Sequence, residues 1–209
     1  MTDKTVQATL AHLQDQLRAV QAINTTLRTS PTLAAVYPVV AEKLAGAIGF
    51  DSMWIAVYEA EHDIIRFEYG VDEGVIDDQM SRGALSDSPL SARVIRSGQL
   101  ELIDDLLADP LQQQIQRFGQ TDRPSRAWMA MPVISGGEVQ GLLAVMSYQP
   151  AVFGPADSDI LTVVASQIAL AVANRRLVER LRRTHREIRR LRAAGGRIPR
   201  HRAVERREL

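Results

Sequence analysis

Residues 128–148 read WMAMPVISGGEVQGLLAVMSY, and this stretch decides the fold. Two apolar runs, Trp128 to Ile134 and Val139 to Tyr148, flank a short segment that contains Gly136 and Gly137. Adjacent glycines between two strand-forming runs are a strong signal for a β-hairpin, because tight hairpin turns place residues at positive φ. The stretch therefore predicts two neighbouring antiparallel strands.

A second hairpin is predicted earlier in the chain. The run from Met53 to Tyr58 is apolar on both faces, which is typical of a central strand covered on both sides. A polar turn over residues 59–63 follows it. Alternation in the return strand, residues 64–69, predicts that Ile65, Phe67 and Tyr69 share one face.

Helices are predicted on either side of this hairpin. A cap residue followed by proline, Ser30-Pro31, precedes an apolar face that ends at Gly49. Its members are Leu33, Val36, Val40, Leu44 and Ile48. Residues 89–97 form a second predicted helix, which a short strand over 100–103 follows. We expect Asp104-Asp105 to cap a short helix after that strand.

A long helix is predicted from Gly154-Pro155 through Ala194. Its first half has a wide apolar face, whereas its second half narrows to a stripe with alternating intervals of four and three. The stripe consists of Leu170, Asn174, Leu177, Leu181, Thr184, Ile188 and Leu191. This spacing is the seam of a coiled coil, so we predict an interface in a dimer.

The N-terminal segment has the same spacing over three heptads. The stripe consists of Val6, Leu10, Leu13, Leu17, Val20, Asn24 and Leu27. A narrow two-in-seven stripe favours pairing between two chains, although a helix packed on its own domain remains the alternative. Asn24 and Asn174 both fall at a-type positions, where a buried Asn pair fixes register, and this favours parallel pairing.

The zero net charge of the 209 residues hides an asymmetry. Residues 175–209 contain 14 arginines, no lysine and four glutamates, a net charge of +10, and the first 174 residues carry −10. Such asymmetry indicates a change of architecture or partner along the chain. We expect the basic C-terminal region to meet an acidic partner or an output domain.

The order of predicted elements and several local motifs resemble the GAF domain family. The matching segments are residues 50–58, 90–98, 103–105, 125–133, 136–145 and 153–157, together with Leu161, Ala165, Gln167, Ile168, Ala169, Ala171 and Asn174. The resemblance implies an α+β fold with an antiparallel sheet of about six strands, helices on one face and a covered pocket on the other. It also implies sensing of a small molecule, with transmission through the flanking helices.

Five residues are candidate ligand contacts by analogy with that family. Trp54 shares a face with Tyr58 by alternation, and this face is expected to line the pocket. Tyr69, Arg93 and Trp128 complete the set. Aromatic walls with a few polar groups suit a small planar or anionic ligand, although aromatic residues on a sheet are also ordinary core.

The absence of cysteine excludes two chemistries of the family. Linear tetrapyrroles are usually tethered through cysteine, and the methionine sulfoxide reductase branch uses cysteine nucleophiles, so we expect no covalent bilin and no cysteine-dependent cofactor. The four histidines lack the spacing of metal ligands; they are His12, His62, His185 and His201. No catalytic constellation is predicted, and the cofactor remains unknown.

We predict four segments: an N-terminal coiled-coil helix (1–29), a GAF domain (30–176), a coiled-coil signalling helix (177–194) and a basic flexible tail (195–209). The expected function is a non-enzymatic, cytoplasmic sensory or regulatory module that forms a homodimer. Two alternatives stay open, a dimerisation scaffold without ligand and a nucleic-acid-binding adaptor that uses the arginine-rich region. No membrane span is expected, because the most apolar stretch, residues 160–173, is shorter than the roughly 20 residues a span needs.

Overall fold

The computed structural model describes residues 14, 17–26, 29–30, 32, 34–77, 81–111 and 123–195. Its sheet consists of β1 (Ser52–Glu59), β2 (Ile64–Asp72), β3 (Val75–Asp77), β4 (Arg82–Ala84), β5 (Glu101–Ile103), β6 (Ala127–Ser135) and β7 (Glu138–Ser147). The strand order is β3-β2-β1-β7-β6-β5, with β4 also paired to β2, and every pairing is antiparallel. The predicted α+β fold with an antiparallel sheet is confirmed.

The described helices are α1 over residues 17–26, α2 (Tyr37–Ala47), α3 (Pro89–Ser97) and α4 (Pro155–Gly195). Two short 3-10 turns, Leu85–Asp87 and Leu106–Ala108, flank α3 and β5. The Asp105 side chain accepts a hydrogen bond from the Leu107 amide and caps the second turn, as predicted. Helix α2 starts at Tyr37 and has Pro38 in its first turn. This start is later in the chain than the Ser30-Pro31 signal predicts.

Both predicted hairpins form. Gly136 and Gly137 adopt φ values of 65° and 82° between β6 and β7, which is the geometry that their sequence predicts. Strand β1 lies between β2 and β7, and Met53 and Trp54 are both buried although they point to opposite faces. The prediction of a central strand covered on both sides is therefore confirmed.

One prediction about the return strand is wrong. Tyr69 lies on the opposite face of the sheet from Ile65 and Phe67. Ile55 pairs with Tyr69 and its neighbour Ala56 pairs with Phe67, so β2 contains one extra residue, Glu68, at a β-bulge. A bulge reverses the alternation of side chains beyond it, and this turns Tyr69 toward α2, where its ring lies 6.1 Å from that of Tyr37.

Two hydrophobic clusters cover the two faces of the sheet. The helix-side cluster joins β1, β6 and β7 to α1, α2 and α4, and its fully buried members include Val40, Leu44, Met53, Met129, Leu143, Val145, Leu161 and Val164. The α3-side cluster lies on the other face and contains Trp54, Ala56, Ile65, Leu85, Leu90, Ala92, Val94, Ile95, Ile103, Leu106, Trp128, Ala130, Leu142, Ala144 and Met146.

Helix α1 contributes one residue that the stripe analysis missed. Ile23 is only 1% exposed and belongs to the helix-side cluster, with Ala19 packed against it. Leu17 is 59% exposed, while Val20 and Asn24 are half-buried. The described part of this helix therefore packs on its own domain through Ile23 and Ala19, and the seam residues Val20 and Asn24 beside them are partly covered. Leu10, Leu13 and Leu27 lie outside the described residues.

The first part of α4, Pro155–Asn174, is long and apolar enough to cross a membrane, so the expectation that this stretch falls short was wrong. Its apolar face is buried against the sheet through Leu161, Val164 and Ile168. A core helix of a folded domain can pass the same test of length and composition, and about a third of this part of α4 is buried, on the face that packs against the sheet. The chain forms two compact units, one ending at Ala173 and one starting at Asn174.

Candidate functional site

The α3-side face of the sheet holds both tryptophans of the chain. Trp54 on β1 is 5% exposed and Trp128 on β6 is 1% exposed. The residue opposite Trp54 on β7 is Ala144, which itself pairs with Ala130 on β6. The small side chains of Ala130 and Ala144 therefore leave space above the central strands, and the neighbouring indole rings or side chains from the covering segment occupy it.

Helix α3 covers this face. Pro89 occupies its first turn and Gly98 ends it in the left-handed conformation (φ 64°), so the sequence sets the length of the helix. Val94 and Ile95 are buried in the α3-side cluster, to which Leu85 and Leu106 from the two 3-10 turns also belong. The cover is a short helix held between two tight turns.

Arg93 fastens α3 to the segment around β5. Its guanidinium forms ion pairs with Glu101 on β5 and with Asp109, whose oxygens lie 2.9 and 3.2 Å from Nη1. Burial tends to raise the pKa of Asp109, but the Leu111 amide and Arg93 outweigh it and hold the pKa below its usual value. The predicted ligand contact Arg93 is thus engaged by two carboxylates.

Tyr58 lies at the half-buried end of the same face. Its hydroxyl donates a hydrogen bond to Oδ1 of Asp63 at 2.8 Å. This hydrogen bond, with burial and the negative charge of Asp63, raises the pKa of Tyr58. Phe67 is also half-buried here, and its ring meets that of Trp54 edge-on at 5.0 Å. An aromatic group of Trp54, Tyr58 and Phe67 therefore follows β1 and β2.

The structure thus brings together Trp54, Tyr58 and Trp128 on the α3-side face, and places Arg93 at its edge. Tyr69 is separated from them by the sheet, and burial in the helix-side cluster raises its pKa. Phe67 belongs to the aromatic group but was missing from the predicted contacts. Its alternation with Ile65 was the signal that pointed to it. Ligand contact by any of these residues stays a prediction.

A polar network at one end of the sheet was not predicted. Asp72 is only 3% exposed; it accepts hydrogen bonds from Ser52 and, at 2.6 Å, from the Tyr148 hydroxyl. Asp51 binds the Ser147 hydroxyl and the Tyr148 amide, each at 2.7 Å. These contacts join the start of β1 to the ends of β2 and β7, so they stabilise the sheet.

The predicted seam of α4 is exposed. Leu170, Leu177 and Leu181 are 56%, 60% and 63% exposed, and Ile188 is 43% exposed. Asn174 is exposed as well. Leu191 lies in the helix, and its side chain is outside the described set. Val163, at 41% exposed, extends the seven-residue spacing of Leu170 and Leu177 by one heptad toward the start of the helix.

No group of three or more metal-binding side chains occurs among the residues that the structure describes. His62 and His185 are exposed, whereas His12 and His201 fall in the undescribed segments. The site is therefore characterised by its two indoles, the aromatic groups beside them and the arginine that fastens its cover.

Three solved structures show the same fold. The GAF domain of a phosphoenolpyruvate-protein phosphotransferase from Coxiella burnetii has a TM-score of 0.68 at 17% identity, covering 79% of this chain and 97% of its own. Free methionine-R-sulfoxide reductase from Neisseria meningitidis has a TM-score of 0.63 at 16% identity, with coverage of 78% and 91%. Residues 122 to 287 of a methyl-accepting chemotaxis protein have a TM-score of 0.61 at 18% identity, with coverage of 75% and 98%.

No curated protein sequence matches the chain significantly. The sequence profile of the GAF domain matches residues 30–173, which is more than half of the chain. This match agrees with the sheet order and with the structural likeness described above. The chain belongs to the GAF domain family.

Proposed function

We propose that this chain is a non-enzymatic, cytoplasmic sensory or regulatory module. It binds a small molecule between α3 and the sheet, and it transmits the bound state through a homodimer of its flanking helices. GAF domains are generally sensory or regulatory, and the neighbours include proteins of signalling systems. The bound ligand and the homodimer go beyond what is general for the family, and they are proposed for this chain.

The observation that carries the proposal is the double use of α4. Leu161, Val164 and Ile168 bury its first part in the helix-side cluster. Leu177 and Leu181, farther along the same helix, expose about 60% of their side chains at heptad spacing. A helix that begins in the core and continues as an exposed seam suits transmission from the domain to a partner helix.

The input is assigned to the α3-side face because a single short helix, α3, covers the aromatic residues there. Helix α3 is short, and ion pairs of Arg93 with Glu101 and Asp109 fasten it at one edge. A ligand that binds better when α3 is displaced shifts the population toward that arrangement. The aromatic residues beneath α3 offer apolar surface for a planar group.

Two chains joined along the α4 seam would bury the exposed leucines. In a parallel pair Asn174 faces its counterpart, which fixes register and two-strandedness. Burial of each leucine contributes roughly 1.5–3 kcal/mol, so a few heptads suffice for association at micromolar concentration. Helix α1, where Leu17 is exposed, adds a second contact between the two chains in this proposal.

A scaffold without ligand is the second candidate, and one observation favours it. Trp54, Trp128 and Leu142 are almost fully buried, so side chains fill much of the α3-side face. The chain has no cysteine, so catalysis by a thiol nucleophile is not available to it.

Intrinsic fluorescence tests the ligand directly, because the chain's only two tryptophans both lie on the α3-side face. Titration with a panel of small planar and anionic metabolites is expected to shift or quench the emission and to raise the melting temperature. Native mass spectrometry of the same protein is expected to show twice the 23.1 kDa mass of one chain. A dimer that no compound in the panel affects would favour the scaffold, and a monomer would overturn transmission through paired helices.

A further inference from the structure

The C-terminal part of α4 presents arginines opposite its apolar seam. Arg182, Arg183, Arg186, Arg189 and Arg190 are all exposed. At about 100° per residue these five positions fall within an arc of about 120°, whereas the seam residues lie roughly 160° away around the helix. We call these five residues the arginine face.

We infer that the arginine face binds the phosphate backbone of double-stranded nucleic acid without reading its sequence. This activity is separate from ligand binding at the α3-side face. It also leaves the seam free for a second copy of the chain, because the two surfaces lie on opposite sides of one helix.

Charge is the first argument. No hydrogen bond or ion pair joins the five guanidinium groups to another residue in the described part of the chain. Glu187, the acidic residue described in this stretch, falls outside the arc of the arginine face. Five cations within nine residues attract a polyanion and release its condensed counterions.

Spacing is the second argument. Arg182 and Arg190 are separated by about 12 Å along the helix axis, since each residue rises about 1.5 Å. A nucleic-acid duplex of B form presents one negative charge per roughly 1.7 Å, so about seven phosphates span that length. The arginine face can therefore meet several phosphates of a duplex at once.

Residue type is the third argument. The region 175–209 contains 14 arginines and no lysine, and the planar guanidinium of arginine binds phosphate oxygens in a bidentate manner. The helix from Asn174 onward contains no aromatic residue, which disfavours base stacking on single strands. Helices that lie in a membrane interface typically carry Trp or Phe on the apolar side, so a duplex is favoured over a lipid surface.

The test uses the full chain and fluorescently labelled DNA and RNA duplexes of random sequence, measured by anisotropy over a range of salt concentrations. The variant R182Q/R189Q is expected to lose on the order of tenfold in affinity for each arginine at about 0.1 M salt. The slope of log K against log salt is expected to fall by about 2. The matched control R82Q/R96Q removes the same charge from exposed arginines of the folded domain, and it should bind like the parent.

The variant R182K/R189K keeps the two positive charges but removes the bidentate guanidinium contacts. It should keep the salt slope of the parent and lose less affinity than R182Q/R189Q does. The proposal is overturned if duplex binding is absent or if R182Q/R189Q binds as tightly as the parent. It is also overturned if the full chain binds vesicles of anionic lipid, or free polyglutamate, as tightly as it binds the duplexes.

Discussion

Gly141 on β7 lies directly against the backbone of Ala56 on β1. A β-carbon built on Gly141 would clash with the carbonyl oxygen of Ala56 and would lie 3.0 Å from its carbonyl carbon. Backbone atoms of a central strand cannot move aside as the end of a flexible side chain can. Only glycine therefore fits here, at the pairing of the two innermost strands of the sheet.

The variant G141A is accordingly expected to lower the free energy of unfolding by roughly 3 kcal/mol, because overpacking forces β1 and β7 apart. Urea denaturation followed by circular dichroism measures the change. The matched control is G46A in the exposed part of α2, where no atom outside the local helix backbone lies within 4 Å of the new β-carbon. That variant should gain about 0.5–1 kcal/mol from helix propensity. Equal stability of G141A and the parent would contradict the close approach.

Replacing two leucines of the α4 seam tests the dimer without touching the core. The variant L177Q/L181Q is expected to weaken self-association by about 100-fold or more, since two apolar side chains lose their buried surface. Sedimentation velocity across a micromolar dilution series measures this. Leu107 is 41% exposed on the folded domain, so L107Q is the control and should associate as the parent does. Unchanged association of L177Q/L181Q would remove the seam from the interface.

The ion pair of Arg93 and Asp109 predicts a pH dependence of stability. The pKa of Asp109 is lowered in the folded protein, so its carboxylate stabilises the fold at pH values above the unfolded pKa. This contribution is lost as the pH falls through the lowered folded pKa. The variant D109N should therefore cost about 1–3 kcal/mol at pH 7, and the cost should shrink in acid.

Urea denaturation of D109N and the parent at pH 7 and near pH 3 measures this difference. Asp104 is exposed on the same connecting segment, so D104N serves as the control with the same chemical change. If D109N lowers the free energy of unfolding by the same amount at neutral and acid pH, the ion pair makes no contribution to the pH dependence of stability.

The Tyr148 hydroxyl gives a test of the polar network at the end of the sheet. It donates to buried Asp72, so Y148F leaves a carboxylate oxygen short of one donor and should cost about 1–3 kcal/mol. The variant Y58F removes a similar hydrogen bond to Asp63, which is 55% exposed. Water replaces that donor, and the cost should stay below about 1 kcal/mol. Equal costs measured by thermal denaturation would contradict the buried role of Asp72.

The sequence predicted most of the sheet because its signals are local. Gly136 and Gly137 announce the hairpin of β6 and β7, and Pro89 and Gly98 bound α3. Such signals can be read from a few neighbouring residues. Glycine accepts positive φ and proline lacks a backbone N–H wherever they occur in the chain. The strands β3 and β4 carried no comparable signal, because each has only three residues and forms by pairing with β2.

The candidate site was predictable in part for the same reason. Trp54 and Tyr58 follow strict alternation along β1, and the structure places both on the predicted face. Tyr69 did not follow it, because the bulge at Glu68 depends on how β2 pairs with β1 and leaves no mark in the sequence of β2. The partners of Arg93 were equally hidden, since Asp109 lies 16 residues away.

The two hydrophobic clusters have a consequence for the divergence of such domains. Each cluster has its own side of one sheet, and the helix-side cluster alone anchors the first part of α4. Substitutions beneath α3 can therefore accumulate while the packing around Leu161 and Val164 is kept. A scaffold built in this way can repack the layer beneath α3 while the packing of the first part of α4 is kept, and the fold itself is shared with neighbours that match it at fewer than one residue in five.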